Sequence, residues 1–269
     1  MHTPSPSGSV LDRIVEARRS EVEHRKKVLP LTALKYGVKA ATPVRDFSAA
    51  LGRPGLNIIA ELKPASPSRG VLRDPFEPAA LAGGLESAGA AALSVLTESE
   101  YFRGSLKNLR DARKAVLLPA LRKDFIFDDW QVWEARANDA DSFLLIVAAL
   151  GDAELTGLIA LGRELGMEPL VEVHSREELE RALAAGAKLI GVNNRDLRNL
   201  AICAETSFEL IDHIPEECIA VSESGLRTHD DIRKLRSAGF DAFLIGEPLM
   251  LAADPASALE ALLGRETAQ

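Results

Sequence analysis

From residue 57 onward the chain alternates short apolar runs with helix-patterned stretches, and it does so eight times. The strand-like runs fall at 57–63, 91–97, 116–122, 142–148, 169–173, 188–193, 218–222 and 242–246. Helical patterns follow them at 77–88, 105–114, 129–138, 152–165, 176–185, 206–213, 229–237 and 255–263. Strands that alternate with helices imply βαβ units and a parallel sheet. Several runs are almost unbroken apolar sequence, as expected where both faces of the sheet are covered. Eight such units close a (β/α)8 barrel in about 250 residues. An open doubly wound sheet is the other arrangement of such units, but its usual G-x-G-x-x-G after the first strand is absent.

The joints repeat as well. Ser87-Ala88-Gly89-Ala90, Ala137-Asn138-Asp139-Ala140, Ala184-Ala185-Gly186-Ala187 and Ser237-Ala238-Gly239-Phe240 each close a helix just before a strand. Gly or Asn past a helix end accepts the left-handed conformation that terminates it. Ser175-x-x-Glu178 reads as a capping box and Thr228-x-x-Asp231 as a near version of one.

Ahead of the first strand, residues 10–28 set Leu11, Ile14, Val15, Arg18 and Val22 along one stripe, and a second short helix is expected around Leu31–Lys39. Sustained heptads are lacking, so a coiled coil is not indicated. Residues 1–48 are therefore expected to form a helical extension on one (β/α)8 barrel domain spanning 1–269, where the extension could lid the barrel mouth.

Composition narrows the class. With 46% apolar residues there is ample material for a core, and no run approaches the length that spans a bilayer. A net charge of -8 argues against general nucleic-acid binding, while leaving room for a locally positive pocket. The N-terminus has neither the basic start nor the apolar run of a secretory signal, so a cytoplasmic protein is expected; a monomer is the expected state, although the sequence does not give it. Cys203 and Cys218 imply no disulfide framework. The five histidines are scattered without an H-E-x-x-H, and neither metal nor organic cofactor is expected. His174, at the end of strand 5, reads as structural.

In barrels of this kind the site is built from the C-terminal strand ends and the loops after them. Polar residues gather there. Strand 1 runs I-I-A-E-L-K and carries Glu61 and Lys63 on one face, with Ile58, Ala60 and Leu62 on the other. Strand 3 ends L-R-K-D-F with Lys123. Strand 5 holds Glu172 between Val171 and Val173, which turn outward and leave the carboxylate to the interior. Strand 6 gives Asn193 and Arg195, and strand 7 gives Glu223, Ser224 and Gly225. Each alone could be a solvated loop charge; converging on one mouth, they can shift one another's pKa values as acid–base chemistry needs. The small turns Ser224-Gly225 and Gly246-Glu247 favour a phosphate held on main-chain N–H groups, with Glu247 contributing backbone only.

The motifs I-I-A-E-L-K-P-A-S-P-S-R-G, L-R-K-D-F-I-F-D, L-V-E-V-H, G-V-N-N-R-D-L and V-S-E-S-G-L, in this order along nearly the whole chain, resemble the indole-3-glycerol phosphate synthase family of tryptophan biosynthesis. That resemblance implies a decarboxylating, dehydrating ring closure of the small phosphorylated substrate 1-(2-carboxyphenylamino)-1-deoxy-D-ribulose 5-phosphate. It implies Lys123 as the acid that protonates the substrate carbonyl, and Lys63 as the partner of the substrate carboxylate and a candidate for the later dehydration. Glu172 would stabilise the cationic intermediate or act as a base, and Glu61 would assist proton removal; the division of steps among these groups stays open. Asn193, Arg195 and Glu223 would orient hydroxyls and charged side chains. Ser66, Ser224, Gly225, Gly246 and the Glu247 backbone would hold phosphate, with Ser66 opposite the two glycines. Phe102, Phe125 and Leu144 would form the slot for the aromatic ring. Phosphoribosylanthranilate isomerase shares the fold, but that family resembles a strand-1 Cys with a partner Asp, where Glu61 and Lys63 stand here. A non-catalytic barrel that only binds a phosphorylated metabolite is the remaining alternative.

Overall fold

The computed structural model describes residues 9–196 and 200–265. Eight parallel strands form a closed barrel: β1 (Asn57–Leu62), β2 (Ala92–Leu96), β3 (Ala120–Lys123), β4 (Ser142–Ile146), β5 (Leu170–Val173), β6 (Leu189–Asn193), β7 (Ile219–Glu223) and β8 (Ala242–Ile245). Each pairs with its neighbours in sequence, and β1 closes the ring on β8 through Asn57 beside Ala242 and Ile58 beside Phe243. The strand expected at 116–122 begins later, at Ala120. Pro119 explains the difference: it has no N–H to give, and only its carbonyl joins the sheet, accepting from Leu93 N.

Three helices precede the barrel: α1 (Val10–Val28), α2 (Leu31–Val38) and α3 (Phe47–Leu51). The outer layer comprises α4 (Pro78–Ala88), α5 (Leu106–Ala115), α6 (Asp129–Ala137), α7 (Asp152–Glu164), α8 (Arg176–Ala184), α9 (Glu205–Ile211) and α10 (His229–Ala238), then the short α11 (Glu247–Leu251) and α12 (Pro255–Leu262). Gly89, Gly186 and Gly239 take positive φ at their joints as expected; at the fourth joint it is Asp139 (φ 64°) rather than Asn138 that does so. Asp139 is held there by Thr42, whose N and Oγ1 both donate to its carboxylate.

The Thr228–Asp231 box is complete. The expected Ser175–Glu178 box is only half formed: Ser175 accepts from Glu178 N, but the Glu178 carboxylate accepts the N–H of His174 instead. A full box that the sequence reading missed starts α1, between Ser9 and Asp12.

Strand alternation divides the apolar core in two. Ile58, Ala60, Leu62, Val171 and Val173 face the helices. Ile59, Leu121, Leu144, Leu170, Leu189 and Val221 fill the barrel interior, and Phe47 and Leu51 of the unforeseen α3 plug its lower end. The interior is therefore packed from below, and polar side chains are confined to its upper layer.

The α1 stripe is real except that Val15 is only half-buried. Its Arg18 is a fully buried cation. The guanidinium donates to Asp124 at 2.7 Å, and Asp124 also receives Arg122 at 2.9 Å and Thr97 at 2.6 Å. Arg122 reaches on to Glu134 of α6 at 2.9 Å. Removing one member of a buried ion network strands the others without compensation. Asp124→Ala should therefore cost about 3 kcal/mol or more of unfolding free energy, read from urea denaturation. A loss below about 1 kcal/mol would show that apolar packing alone seats α1.

Candidate active site

Period-two alternation sends the last inward residue of each strand to the mouth of the barrel, above the apolar plug. Glu61 of β1, Lys123 of β3, Glu172 of β5, Asn193 of β6 and Glu223 of β7 arrive there together, around a cavity with about 960 Å³ of empty space that opens to solvent. Phe102, Phe125 and Leu144 line it, with Lys63, Arg195, Ser224, Gly225, Gly246 and Glu247. Every expected site residue except Ser66 borders this cavity. Ser66 lies instead in an adjoining pocket under α1, with Leu11, Ile14, Lys63, Phe102, Phe125, Arg195 and Glu247. The reason is local: after Pro64 the chain makes a small hairpin, Ala65–Ser66 against Gly70–Val71, closed by Leu72 N donating to Pro64 O at 2.8 Å.

The centre of the site is the Lys123 ammonium. It donates to Glu172 Oε2 at 2.7 Å and to Glu223 Oε2 at 2.8 Å. Burial opposes the charge on Lys123, but Glu172, Glu223 and Glu61 outweigh it and hold the ammonium well above the usual lysine range. Burial likewise opposes ionisation of Glu172, and Lys123 and His174 reverse that, keeping it well below the usual carboxylate range. Glu223 goes the other way. Burial dominates there, and with Glu172 and Glu61 close by, it is pushed up to about 7 despite Lys123. Two carboxylates share one ammonium, and only one of them is firmly ionised. Glu223 Oε1 has no hydrogen-bond partner among the described residues.

A second ion pair joins Lys63 to Glu61 at 2.5 Å. Two glycines make these carboxylates possible. A Cβ at Gly191 would come within 2.2 Å of Glu223 Oε1, and one at Gly246 within 2.3 Å of Glu61 Oε1. Gly246 therefore serves the carboxylate layer as well as the turn after β8.

At the other end of the cavity, Ser224 and Gly225 sit in succession at φ 67° and φ 83°. A non-glycine residue held at positive φ is uncommon, and such strain concentrates at functional sites. Asn194 fixes the turn by donating to Ser224 O at 3.0 Å, and its own oxygen accepts from Ser207 N and Oγ. The Glu247 carboxylate is drawn to Arg69 at 3.3 Å and lies 4.0 Å from Arg195. Asn193 Oδ1 accepts from Arg195 N at 3.0 Å.

Sequence reasoning missed Asn194 and Asp124, and the signal was available. Each is the second member of a polar doublet at a strand end, Asn193-Asn194 and Lys123-Asp124. Alternation puts the first member into the mouth and the second among the helices, where a buried polar group needs partners of its own. Arg227, Ile202 and Leu226 on the cavity wall carried no such mark.

Behind Glu172, His174 places Nε2 3.3 Å from Glu172 Oε1 and Nδ1 3.1 Å from Glu178 Oε2. The Nε2 contact is one of charge, because it is not aligned as a hydrogen bond. Burial disfavours the imidazolium, yet Glu172 and Glu178 override it and raise His174 to about 10.

A family model described as indole-3-glycerol phosphate synthase matches residues 11–262. Curated relatives named indole-3-glycerol phosphate synthase include one from Acidithiobacillus ferrooxidans, 47% identical over 259 residues that cover 94% of this chain and 98% of that protein. Another, from Rhodococcus jostii, is 47% identical and covers 95% of each chain. Among solved structures, 3-hexulose-6-phosphate synthase from Salmonella typhimurium superposes with a TM-score of 0.63 at 11% identity, covering 77% of this chain and 97% of that one. Thiamine phosphate pyrophosphorylase from Pyrococcus furiosus gives 0.58 at 20% identity, covering 79% and 95%. At that identity these two structures speak for the barrel alone.

The sign of the His174 shift fixes a pH test of stability. A pKa raised on folding contributes stability that is complete below the unfolded value of 6.5 and is lost as pH rises through about 10. The stability difference between the parent protein and His174→Asn should be largest below pH 6.5 and shrink toward pH 10. A difference that stays flat across this window in chemical denaturation would remove the imidazolium from the site's electrostatics.

Proposed function

The chain belongs to the indole-3-glycerol phosphate synthase family, and from that premise we propose how its strand-end side chains divide the ring closure. The reaction converts 1-(2-carboxyphenylamino)-1-deoxy-D-ribulose 5-phosphate to indole-3-glycerol phosphate, carbon dioxide and water, as a carboxy-lyase of tryptophan biosynthesis. The observation that carries the assignment of roles is the Lys123 ammonium held between Glu172 and Glu223.

Carbon–carbon closure begins when the ring carbon bearing the carboxylate attacks the ketone carbon. The developing oxyanion needs a proton, and Lys123 is the group kept protonated at the bottom of the cavity. The ring becomes cationic as the bond forms, and the ionised Glu172, 2.7 Å from Lys123 on the same cavity, is suited to stabilise it. Carbon dioxide then leaves, and the electron pair of the broken bond restores the benzenoid ring. Dehydration follows: the new hydroxyl leaves as water with one proton, and a neighbouring carbon loses another. The Lys63–Glu61 pair is suited to both, with Lys63 as donor and Glu61 as acceptor. Glu223, poised near 7 and with Oε1 unpartnered, is suited to accept from or donate to a substrate hydroxyl. Asn193 supports this set by holding the turn to Arg195.

Positioning supplies much of the barrier reduction when two reacting atoms are held in contact. The phosphate is assigned to the Ser224-Gly225 turn and the Gly246–Glu247 backbone, with Arg195 free to leave Glu247 for it. The aromatic ring is assigned to the slot of Phe102, Phe125 and Leu144. Ser66 then belongs with Lys63 beside the ring carboxylate, since both face the pocket that continues the slot. Among the described residues no helix is long and apolar enough to cross a membrane. We take the enzyme to work as a monomer in the cytoplasm; light scattering of the purified chain tests the first point.

Lys123→Ala should lower turnover by about 10²-fold or more, as expected for loss of a positioned acid, with substrate binding largely kept. Indole fluorescence follows the product directly. Near-normal turnover in that variant would move the acid role to another side chain, and substrate bound without indole formation by the parent enzyme would favour a binding protein.

A further inference from the structure

The two aromatic rings of the slot stand with centroids 6.1 Å apart, tilted by 39°. Each hangs from a buried carboxylate by its own backbone N–H. Phe125 N donates to Asp124 Oδ1 at 2.9 Å, and Phe102 N donates to Glu98 Oε2 at 3.0 Å. Asp124 is already committed to the ion network that seats α1. Glu98 does something different, and the ring-closure roles above make no use of it.

Glu98 follows β2 and is 2% exposed, although it is a carboxylate in the segment between Leu96 and Phe102, both of which line the open cavity. Its side chain turns forward over the next loop. Oε1 accepts from Glu100 N at 2.9 Å, and Oε2 accepts from Tyr101 N at 2.8 Å as well as from Phe102 N. Its carbonyl accepts Gly104 N at 2.7 Å. The loop from 99 to 104 is thus wound around one residue. Arg103 within it lies at φ 53°, a conformation that persists only when the surroundings over-determine it. Hydrogen bonds to an ionised acceptor are the stronger kind, and leaving buried N–H groups without one is costly.

We infer that Glu98 is a positioning residue for recognition of the substrate's aromatic end: it fixes the loop that sets Phe102 against Phe125, without touching the substrate itself. The inference rests on the reading that Phe102 borders the ring slot. A phosphate on Ser224-Gly225 does not depend on this loop, so the two ends of the ligand should respond differently. Glu98→Gln keeps the size of the side chain but turns an amide NH2 toward one of the three N–H donors, so the loop cannot keep its winding.

The test measures binding of two fragments, 2-aminobenzoate and inorganic phosphate, to the parent enzyme, to Glu98→Gln, to Phe102→Ala and to the double variant. With Glu98→Gln, the Kd of 2-aminobenzoate and the KM of the full substrate should rise about tenfold, while phosphate affinity changes by less than about twofold. In the Phe102→Ala background the same substitution should add little, since two residues acting through one contact are not additive. Equal weakening of both fragments, a full tenfold loss in the Phe102→Ala background, or unchanged ring affinity would each overturn the inference. If Phe102→Ala itself costs no ring affinity, the slot has been misplaced and the role of Glu98 falls with it. That result is recognisable because it precedes any change at Glu98.

Discussion

A buried ammonium between two carboxylates is the interaction on which the upper half of this molecule depends. Charges of that kind survive burial only when geometry satisfies them, and here the barrel supplies it. Lys123, Glu172 and Glu223 come from three different strands, so their 2.7 and 2.8 Å contacts exist only if β3, β5 and β7 hold register. The register is in turn fixed by what lies beneath, where interior apolar side chains and the α3 plug leave no room for the polar layer to sink. Gly191 and Gly246 complete the arrangement by vacating the space that Glu223 and Glu61 occupy.

The electrostatic asymmetry follows from the same packing. One cation cannot fully compensate two neighbouring anions in a low-dielectric site. Glu172 is backed by His174 and stays ionised; Glu223 has no such support and is pushed up to about 7. A site that must donate a proton, stabilise a cation and then move further protons benefits from groups whose pKa values are forced apart. The difference between these two glutamates is therefore a property of their surroundings, and nothing in the residue type distinguishes them.

How much of this could be read from the residues depended on whether the cause was local. Period-two alternation placed Glu61, Lys123, Glu172 and Glu223 in one mouth, because side-chain direction in a strand needs only the strand. The apolar rhythm gave the barrel for the same reason. The placement of Ser66 in an adjoining pocket depends on a hairpin that no periodicity marks, and the late start of β3 turned on a single proline. The half-formed box at Ser175 failed through competition, since His174 claimed the Glu178 carboxylate. Asn194 and Asp124 were marked only as second members of polar doublets, because the partners Ser207 and Arg18 that give them their roles are remote in sequence. Glu98 is the sharpest case: its partners are the next few residues, yet a carboxylate that folds back on a loop has no spacing signature.

The Arg18–Asp124 bond spans 106 residues, and the β1–β8 pairing joins Asn57 to Ala242. During synthesis α1 emerges before β3, so its Arg18 has Glu21 of the same helix beside it while Asp124, its buried partner, is not yet made. Contacts of such long sequence separation are intrinsically late, because loop-closure entropy must be met before they form. The nascent chain must therefore keep both its first helix and its first strand waiting, and barrel closure joins the earliest strand to the last. A truncation near the C-terminus would leave β1 with an unpaired edge, a template for association with other chains.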